Sequence, residues 1–391
     1  MKNFSRFQKF GILFFIISYI FLILWAFNGT RTYLKFKTLQ IAGFAMGKPS
    51  YFPEDIFLSM FHPEPERVPV SEHILTQPAM PVIEFHGHIF GTYDQNEFHL
   101  NLEKNHTKYY INLALRTVTP ADFKKLKEKI GEDKRIYHFP GLNWSRLEND
   151  DFQGMADDLE EIVKLGDIRG IKIWKDFGLK FRTSDGLLLK LDDPRMDPVW
   201  DVCKKYNLII AMHTADPPAF FKKIDGSNER FPELGRHPDW SFTGGDLPLF
   251  DELIQQRDRL FKRRSQNRFV AQHFGELAHD LNRAAEMLDS NPNVQLDIAQ
   301  RIDELGRQPE ASRSFFLKYQ DRILYGTDGM PDYEKVRIYW RFLETNDEYF
   351  NYHPPHKPEK GKWKIYGLGL PKSVLRKIYY ENAFKMLEEN R

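Results

Sequence analysis

From Pro81 onward the chain repeats one alternation eight times, a short apolar or β-branched run followed by a longer amphipathic one. This pattern gives parallel strands joined by helices, because parallel neighbours need a long crossover and a helix supplies it. The runs predict strands over 82–86, 108–115, 135–139, 168–174, 208–212, 268–272, 294–298 and 322–326. Helices are expected over 150–165, 195–206 and 249–264, and Thr119-Pro120-Ala-Asp122 reads as a helix start with threonine as N-cap and proline in the first turn. Eight strands in order can close a sheet on itself. The expected fold class is therefore α/β, a (β/α)8 TIM barrel over 81–391. No repeat of about 20–50 residues is visible beyond the alternation, which disfavours a solenoid or propeller.

Composition narrows the function classes. Fifty-six Lys plus Arg against 55 Asp plus Glu leave a net charge of +1, with no basic run to track a phosphate backbone, so nucleic acid is not an expected partner. The single cysteine, Cys203, rules out an intrachain disulfide and a cysteine-based zinc knuckle. It lies in an amphipathic run and reads as a buried core thiol.

The first 80 residues belong to another regime. Lys2, Arg6 and Lys9 precede an uncharged apolar stretch, Phe10 to Phe27, that at ~1.5 Å per residue is long enough to span a bilayer core. Residues 1–37 are thus expected to be a signal-anchor transmembrane segment. The barrel would lie outside the cytoplasmic membrane, secretion after signal cleavage being the alternative. Residues 38–80, broken by Pro49, Pro53, Pro63, Pro65, Pro69 and Pro78, are expected to be a linker packed on the barrel. The insertion 175–194 is polar and charged and 214–248 is rich in Pro and Gly, and both are the expected carriers of substrate choice.

Chemistry concentrates at the C-terminal ends of four predicted strands. The first ends in Glu84-Phe-His86-Gly-His88, which places two imidazoles on one face. The fifth delivers His213, the sixth His273 and the eighth Asp328. In a barrel these ends converge on one mouth, and three or four nitrogen and oxygen donors there suit a catalytic metal with an open position. Singly, each has a bland explanation: a hydrogen-bonded core histidine, a loop residue, a helix cap. Jointly they do not.

These residues carry a family resemblance. His86-x-His88, His213, Gln272-His273-Phe-Gly275, Asp321-Arg-Ile-Leu-Tyr-Gly-Thr-Asp328 and the closing segment 374–387 together resemble the amidohydrolase superfamily. The branch they resemble most includes aminocarboxymuconate semialdehyde decarboxylase. The resemblance implies that His86, His88, His213 and Asp328 ligate one divalent ion, zinc by preference, with His273 beside the metal-bound water and His273 and Asp328 as the catalytic pair. A bound metal can lower the pKa of water to ~7, where an imidazole can accept its proton. Lys172, on the fourth strand, is expected to contact substrate; with two metals it would instead be a carbamylated bridge. Trp144 and Arg301 are further substrate-binding candidates, Arg301 having Asp297, Asp303 or Glu304 as alternative structural partners.

The leading expectation is a metal-dependent hydrolase acting on an amide, ester or lactone carbonyl of a small molecule. The second is a non-oxidative decarboxylase of a small carboxylic acid, and the third a non-catalytic membrane-tethered barrel. Besides substrate, the expected partners are the membrane, through the N-terminal helix, and a second copy of the chain in a homodimer.

Overall fold

The computed structural model describes residues 72–89, 94–130, 133–166, 168–355 and 357–388, together with Ser18. The expected transmembrane segment and most of the linker lie outside the described residues. Among those described, no helix is long and apolar enough to cross a membrane.

Eight parallel strands alternate with eight principal helices: β1 (Val82–Gly87), α1 (Gln95–Lys104), β2 (Thr107–Asn112), α2 (Pro120–Ile130), β3 (Ile136–His138), α3 (Phe152–Leu165), β4 (Gly170–Ile173), α4 (Asp197–Lys205), β5 (Ile209–Met212), α5 (Phe250–Arg263), β6 (Arg268–Ala271), α6 (Leu281–Ser290), β7 (Val294–Asp297), α7 (Pro309–Lys318), β8 (Ile323–Leu324) and α8 (Tyr333–Glu344). The ladder runs β1-β2-β3 and β4-β5-β6-β7-β8 in sequence order. Two seams complete the ring. Lys172 N donates to Pro140 O at 2.9 Å between β3 and β4, and Phe85 N donates to Tyr325 O at 3.0 Å between β8 and β1. Each predicted strand is present, and all but the first are shorter than predicted, because strand ends bend into loops once side chains must face the mouth.

Local chemistry sets the helix starts. At α2, Thr119 Oγ1 accepts from Asp122 N at 3.1 Å and Asp122 Oδ2 accepts from Thr119 N at 3.2 Å, a reciprocal cap ahead of Pro120. Asp94, Asp151, Asp280 and Asp332 do the same duty for α1, α3, α6 and α8. Cys203 is fully buried on α4, and burial pushes its thiol far up, as the sequence implied.

One core cluster runs through the barrel. Ile83, Phe85, Ile111, Phe139, Ala211 and Val270 pack with Ala383, Met386 and Leu387 from the closing helix, α9 (Asn382–Glu388). Arg268, at the start of β6, donates to Met386 O at 2.8 Å, and Asn382 Nδ2 to Ile323 O at 2.8 Å. The closing helix therefore plugs the N-terminal ends of the strands and leaves the C-terminal ends for chemistry.

The described part of the linker runs along α8. Tyr333 Oη donates to Thr76 O at 2.9 Å, Arg337 Nε to Leu75 O at 2.8 Å and Arg341 Nη1 to Glu72 Oε1 at 3.0 Å, all from one helix face at four-residue spacing. Residues 219–243 and 359–361 belong to a second compact unit, in which Phe220, Ile224, Phe231 and Leu234 make an apolar cluster.

Candidate metal centre

Where β1 meets β8, one carboxylate organises two backbone segments. Glu84 is buried and accepts from His86 N at 3.0 Å, Thr327 N at 2.7 Å and Thr327 Oγ1 at 2.9 Å. The two elements that carry His86 and Asp328 are thereby locked to each other. Asp328 itself has a left-handed backbone, φ 65°, a conformation costly for a side-chain-bearing residue. It is held by His86 O, which accepts Asp328 N at 2.8 Å, and by Lys335 Nζ, which donates to Asp328 O at 2.7 Å.

β6 ends in a second unusual element. His273, Phe274, Gly275 and Glu276 all have φ between 54° and 60°, a complete left-handed turn. Only the glycine adopts this readily; the other three cost roughly 1–2 kcal/mol each unless their surroundings compensate. Asp297 compensates at one end by accepting His273 N at 2.8 Å, and the buried Arg257 donates to Gly275 O at the other. The turn brings His273 and Glu276, three residues apart, to the same place beside His213.

Five predicted residues meet at this mouth. The His86 and His88 ring centroids lie 5.3 Å apart, His86 and His273 4.6 Å, and His213 and His273 4.2 Å. His88 Nε2 is 2.8 Å and His86 Nε2 3.6 Å from Asp328 Oδ1. Among the described residues, two donor groups have the spacing to hold a metal ion, His86 with His273 and Asp328, and His213 with His273 and Glu276.

The hydrogen bonds behind the rings decide which nitrogens face that centre. His86 Nδ1 donates to Asp297 Oδ2 at 2.8 Å, and His273 Nδ1 donates to Ala299 O at 2.9 Å. Both imidazoles therefore turn an Nε2 lone pair toward Asp328, the carboxylate-behind-histidine arrangement that prepares a ligand. His86 Nε2 and Glu276 Oε1 are buried and make no hydrogen bond, which a structure tolerates poorly unless the atoms serve a ligand. The donor set and these two atoms fit a divalent metal.

Electrostatics agree. Burial lowers His88 to about 4 and His213 to about 3, and drives His273 well below its ordinary value with help from its neighbouring imidazoles. All three are neutral near pH 7, as metal ligation or proton acceptance requires. Burial opposes the Asp328 carboxylate, yet its hydrogen bond from His88 and the surrounding imidazoles prevail and hold it well below the usual range. Burial raises Glu276 to about 8 against the pull of Arg301.

The remaining predicted residues have distinct environments. Lys172 is fully buried, donates to Gln272 Oε1, and lies 4.9 Å over the Trp174 ring; burial lowers it to about 7. Arg301 is buried and pairs with Glu276, while its other arm donates to Gln300 O at 2.8 Å. Glu276, supplied by the left-handed turn, is a partner that the sequence did not suggest, while Asp297 serves His86 and His273. Trp144 is buried and stacked on Phe181 at 4.3 Å. Sequence reasoning missed Asp297 and Glu276. The first stands at the end of β7, so the strand-end rule applied to every strand would have found it; the second stands three residues beyond His273.

The amidohydrolase family model matches residues 139–388, and the chain belongs to that family. It is an amidohydrolase-superfamily enzyme on a (β/α)8 barrel. No curated protein matches it by sequence. Among solved structures it is similar to a candidate amidohydrolase from Staphylococcus aureus (16% identity, 79% of this chain and 100% of that one, TM-score 0.52). It is also similar to 2,6-dihydroxybenzoate decarboxylase from Rhizobium (14%, 80% and 100%, TM-score 0.50). A third similar structure is a dihydroxybenzoic acid decarboxylase from a Polaromonas species with bound manganese and the inhibitor 2-nitroresorcinol (15%, 77% and 87%, TM-score 0.50). At these identities the likeness concerns the fold.

Proposed function

We propose that this enzyme removes carbon dioxide non-oxidatively from a small carboxylic acid, using one divalent ion, zinc by preference, held by His86, His88, His213 and Asp328. The observation that carries this reading is Lys172. Its side chain is fully buried beside the donor cluster and, among the described residues, has Gln272 as its one hydrogen-bond partner. A buried cation with donors to spare calls for an anion, and an acid substrate brings one. The similar structures named as decarboxylases of dihydroxybenzoic acids support the same class of substrate.

In such a reaction the carbon–carboxylate bond breaks, its electron pair stays on carbon, and carbon takes a proton as carbon dioxide leaves. When bound, the metal supplies Lewis-acid stabilisation of the negative charge that develops on the substrate. Lys172 holds the carboxylate. His273, its Nδ1–H tied to Ala299 O, presents Nε2 to move the proton, and Asp328 keeps that nitrogen within the cluster. Glu276, paired with Arg301, stands 3.6 Å from His213 and completes the second donor group with His213 and His273.

Hydrolysis of an amide, ester or lactone is the second reading. It is favoured by the two donor groups that share His273, because a carbamylated Lys172 would then bridge two ions. We further propose that residues 1–37 anchor the chain in the membrane, with 38–80 as linker and the 81–391 barrel outside the cytoplasm, released if the segment is cleaved, and a homodimer as its assembly. The deciding experiment follows carbon dioxide release, and deuterium uptake from D2O into the product, over a panel of hydroxybenzoic acids beside a panel of lactones and esters. Carbon dioxide with one deuterium at the vacated carbon supports decarboxylation; turnover of the lactones or esters alone overturns it.

A further inference from the structure

Between the two histidines of β1 stands Gly87, and the space beside it is already filled by another side chain. A Cβ at Gly87 would lie 2.1 Å from Tyr110 Cζ, 2.4 Å from Cε1 and 2.5 Å from the hydroxyl oxygen, so only glycine fits. Tyr110 belongs to β2 and is fully buried, its ring edge-on to Phe98 of α1 at 5.1 Å. Moving that ring aside would open a cavity in the packing beneath α1.

From this seat the phenol reaches the chain that leaves β8. Tyr110 Oη donates to Gly329 O at 2.5 Å, and His88 N donates to the same oxygen at 3.2 Å. His86 O accepts Asp328 N at 2.8 Å, so beyond the regular strands β1 and β8 continue as a parallel pair, with Gly87 opposite Gly329. The backbone bond at His88 is the longer of the two, and Tyr110 fixes the carbonyl that accepts it. Burial pushes the phenol well above its ordinary pKa, so the hydroxyl keeps its proton and remains a donor. The carbonyl held by Tyr110 thus ties the backbone of His88 to the residue after Asp328, and the two side chains meet at 2.8 Å.

We propose that Tyr110 is a positioning residue of the metal centre, its ring seated against Gly87 and its hydroxyl fixing Gly329, so that His88 and Asp328 present their donor atoms in register. The inference deepens the metal-centre reading above and rests on it, extending the centre to a strand that supplies none of its donors. Supporting groups behind a metal ligand typically set 10–100-fold in affinity. Tyr110 sits at the lower end of that range, because the bond from His88 N to Gly329 O survives without it.

The test is a chelator-competition titration with zinc on the full-length protein and its variants, with visible spectra of the cobalt-loaded forms and thermal melts of the metal-free ones. Tyr110→Phe removes one oxygen and keeps the ring. Its zinc affinity is expected to fall about 10-fold and its cobalt bands to change, while melting stays cooperative. Leu159→Ala, a truncation on the buried face of α3, is the control, expected to lower the melting temperature with zinc affinity and cobalt spectrum as in wild type. Gly87→Ala is expected to weaken zinc binding by itself and to add nothing alongside Tyr110→Leu, whose shorter side chain ends before the clashing atoms. Wild-type affinity and an unchanged cobalt spectrum in Tyr110→Phe overturn the inference and leave the metal centre standing. So does an equal loss of affinity in Leu159→Ala, or the same loss from Gly87→Ala in both backgrounds. A well-folded wild type that takes up neither zinc nor cobalt overturns the metal-centre reading and the inference with it.

Discussion

Asp297→Asn changes one atom and should undo the metal centre while sparing the barrel. Asp297 is fully buried; Oδ1 accepts His273 N at 2.8 Å and Ala299 N at 3.1 Å, and Oδ2 accepts from His86 Nδ1 at 2.8 Å. The asparagine keeps its carbonyl where the two backbone donors need it, which leaves its amide group facing His86 Nδ1. Two donors cannot face each other, so His86 moves its proton to Nε2, the nitrogen that points at Asp328. The lone pair offered to a metal disappears. Loss of such a supporting carboxylate typically weakens metal affinity by 10–100-fold, or about 1.4–2.7 kcal/mol. Asp297→Ala differs in kind, because it strands three buried donors at roughly 1–3 kcal/mol each and threatens the fold. The assay is a chelator-competition titration with zinc, paired with thermal melts of the metal-free proteins. Wild-type affinity in a well-folded Asp297→Asn protein would refute the tautomer argument.

Three more outcomes follow from the same structure. Lys172 has a folded-state pKa of about 7, below the ordinary lysine value, so the unfolded chain holds that proton more tightly. The resulting penalty is absent above the ordinary lysine pKa and grows as pH falls toward 7; metal-free wild type should therefore gain stability from pH 7.5 to 10, by at most about 1.4 kcal/mol per pH unit, relative to Lys172→Met. Parallel melting curves for the two proteins across that range would contradict it. At pH 9, above the raised Glu276 pKa, Glu276→Gln removes the anion facing the buried Arg301 and should cost about 3–5 kcal/mol, much of which Glu276→Gln with Arg301→Met recovers; urea unfolding of the single and double variants at that pH measures the coupling. Cys203, buried with its thiol raised, should give no reaction with a disulfide thiol reagent at pH 8 until denaturant is added, and one equivalent after; a rapid native reaction would place it at the surface.

Much of this architecture was legible because strand periodicity and strand-end chemistry are local signals. His86 and His88 are two apart on one run, and His213, His273 and Asp328 each follow an apolar run, so the barrel's convergence could be anticipated. Glu276 was not, because its approach to His213 depends on four consecutive left-handed residues, and only Gly275 hints at such a backbone. Asp297 was weighed only as a partner for Arg301, since a second donor behind a ligand leaves no pattern of its own. The pairing of Arg116 with Trp174 joins residues from different loops, which no spacing rule reaches. Trp144 drew attention as a mouth aromatic, and its packing against Phe181 and Phe177 likewise joins residues that no spacing rule connects.

The central claim is a metal held by the convergent strand ends, and elemental analysis of the purified full-length protein beside His86→Ala tests it most directly. About one zinc per chain in wild type, lost from a variant that still melts cooperatively, is the result this account predicts. A well-folded wild-type protein that holds no divalent ion even after incubation with zinc, or a His86→Ala protein that keeps its full complement, would contradict it.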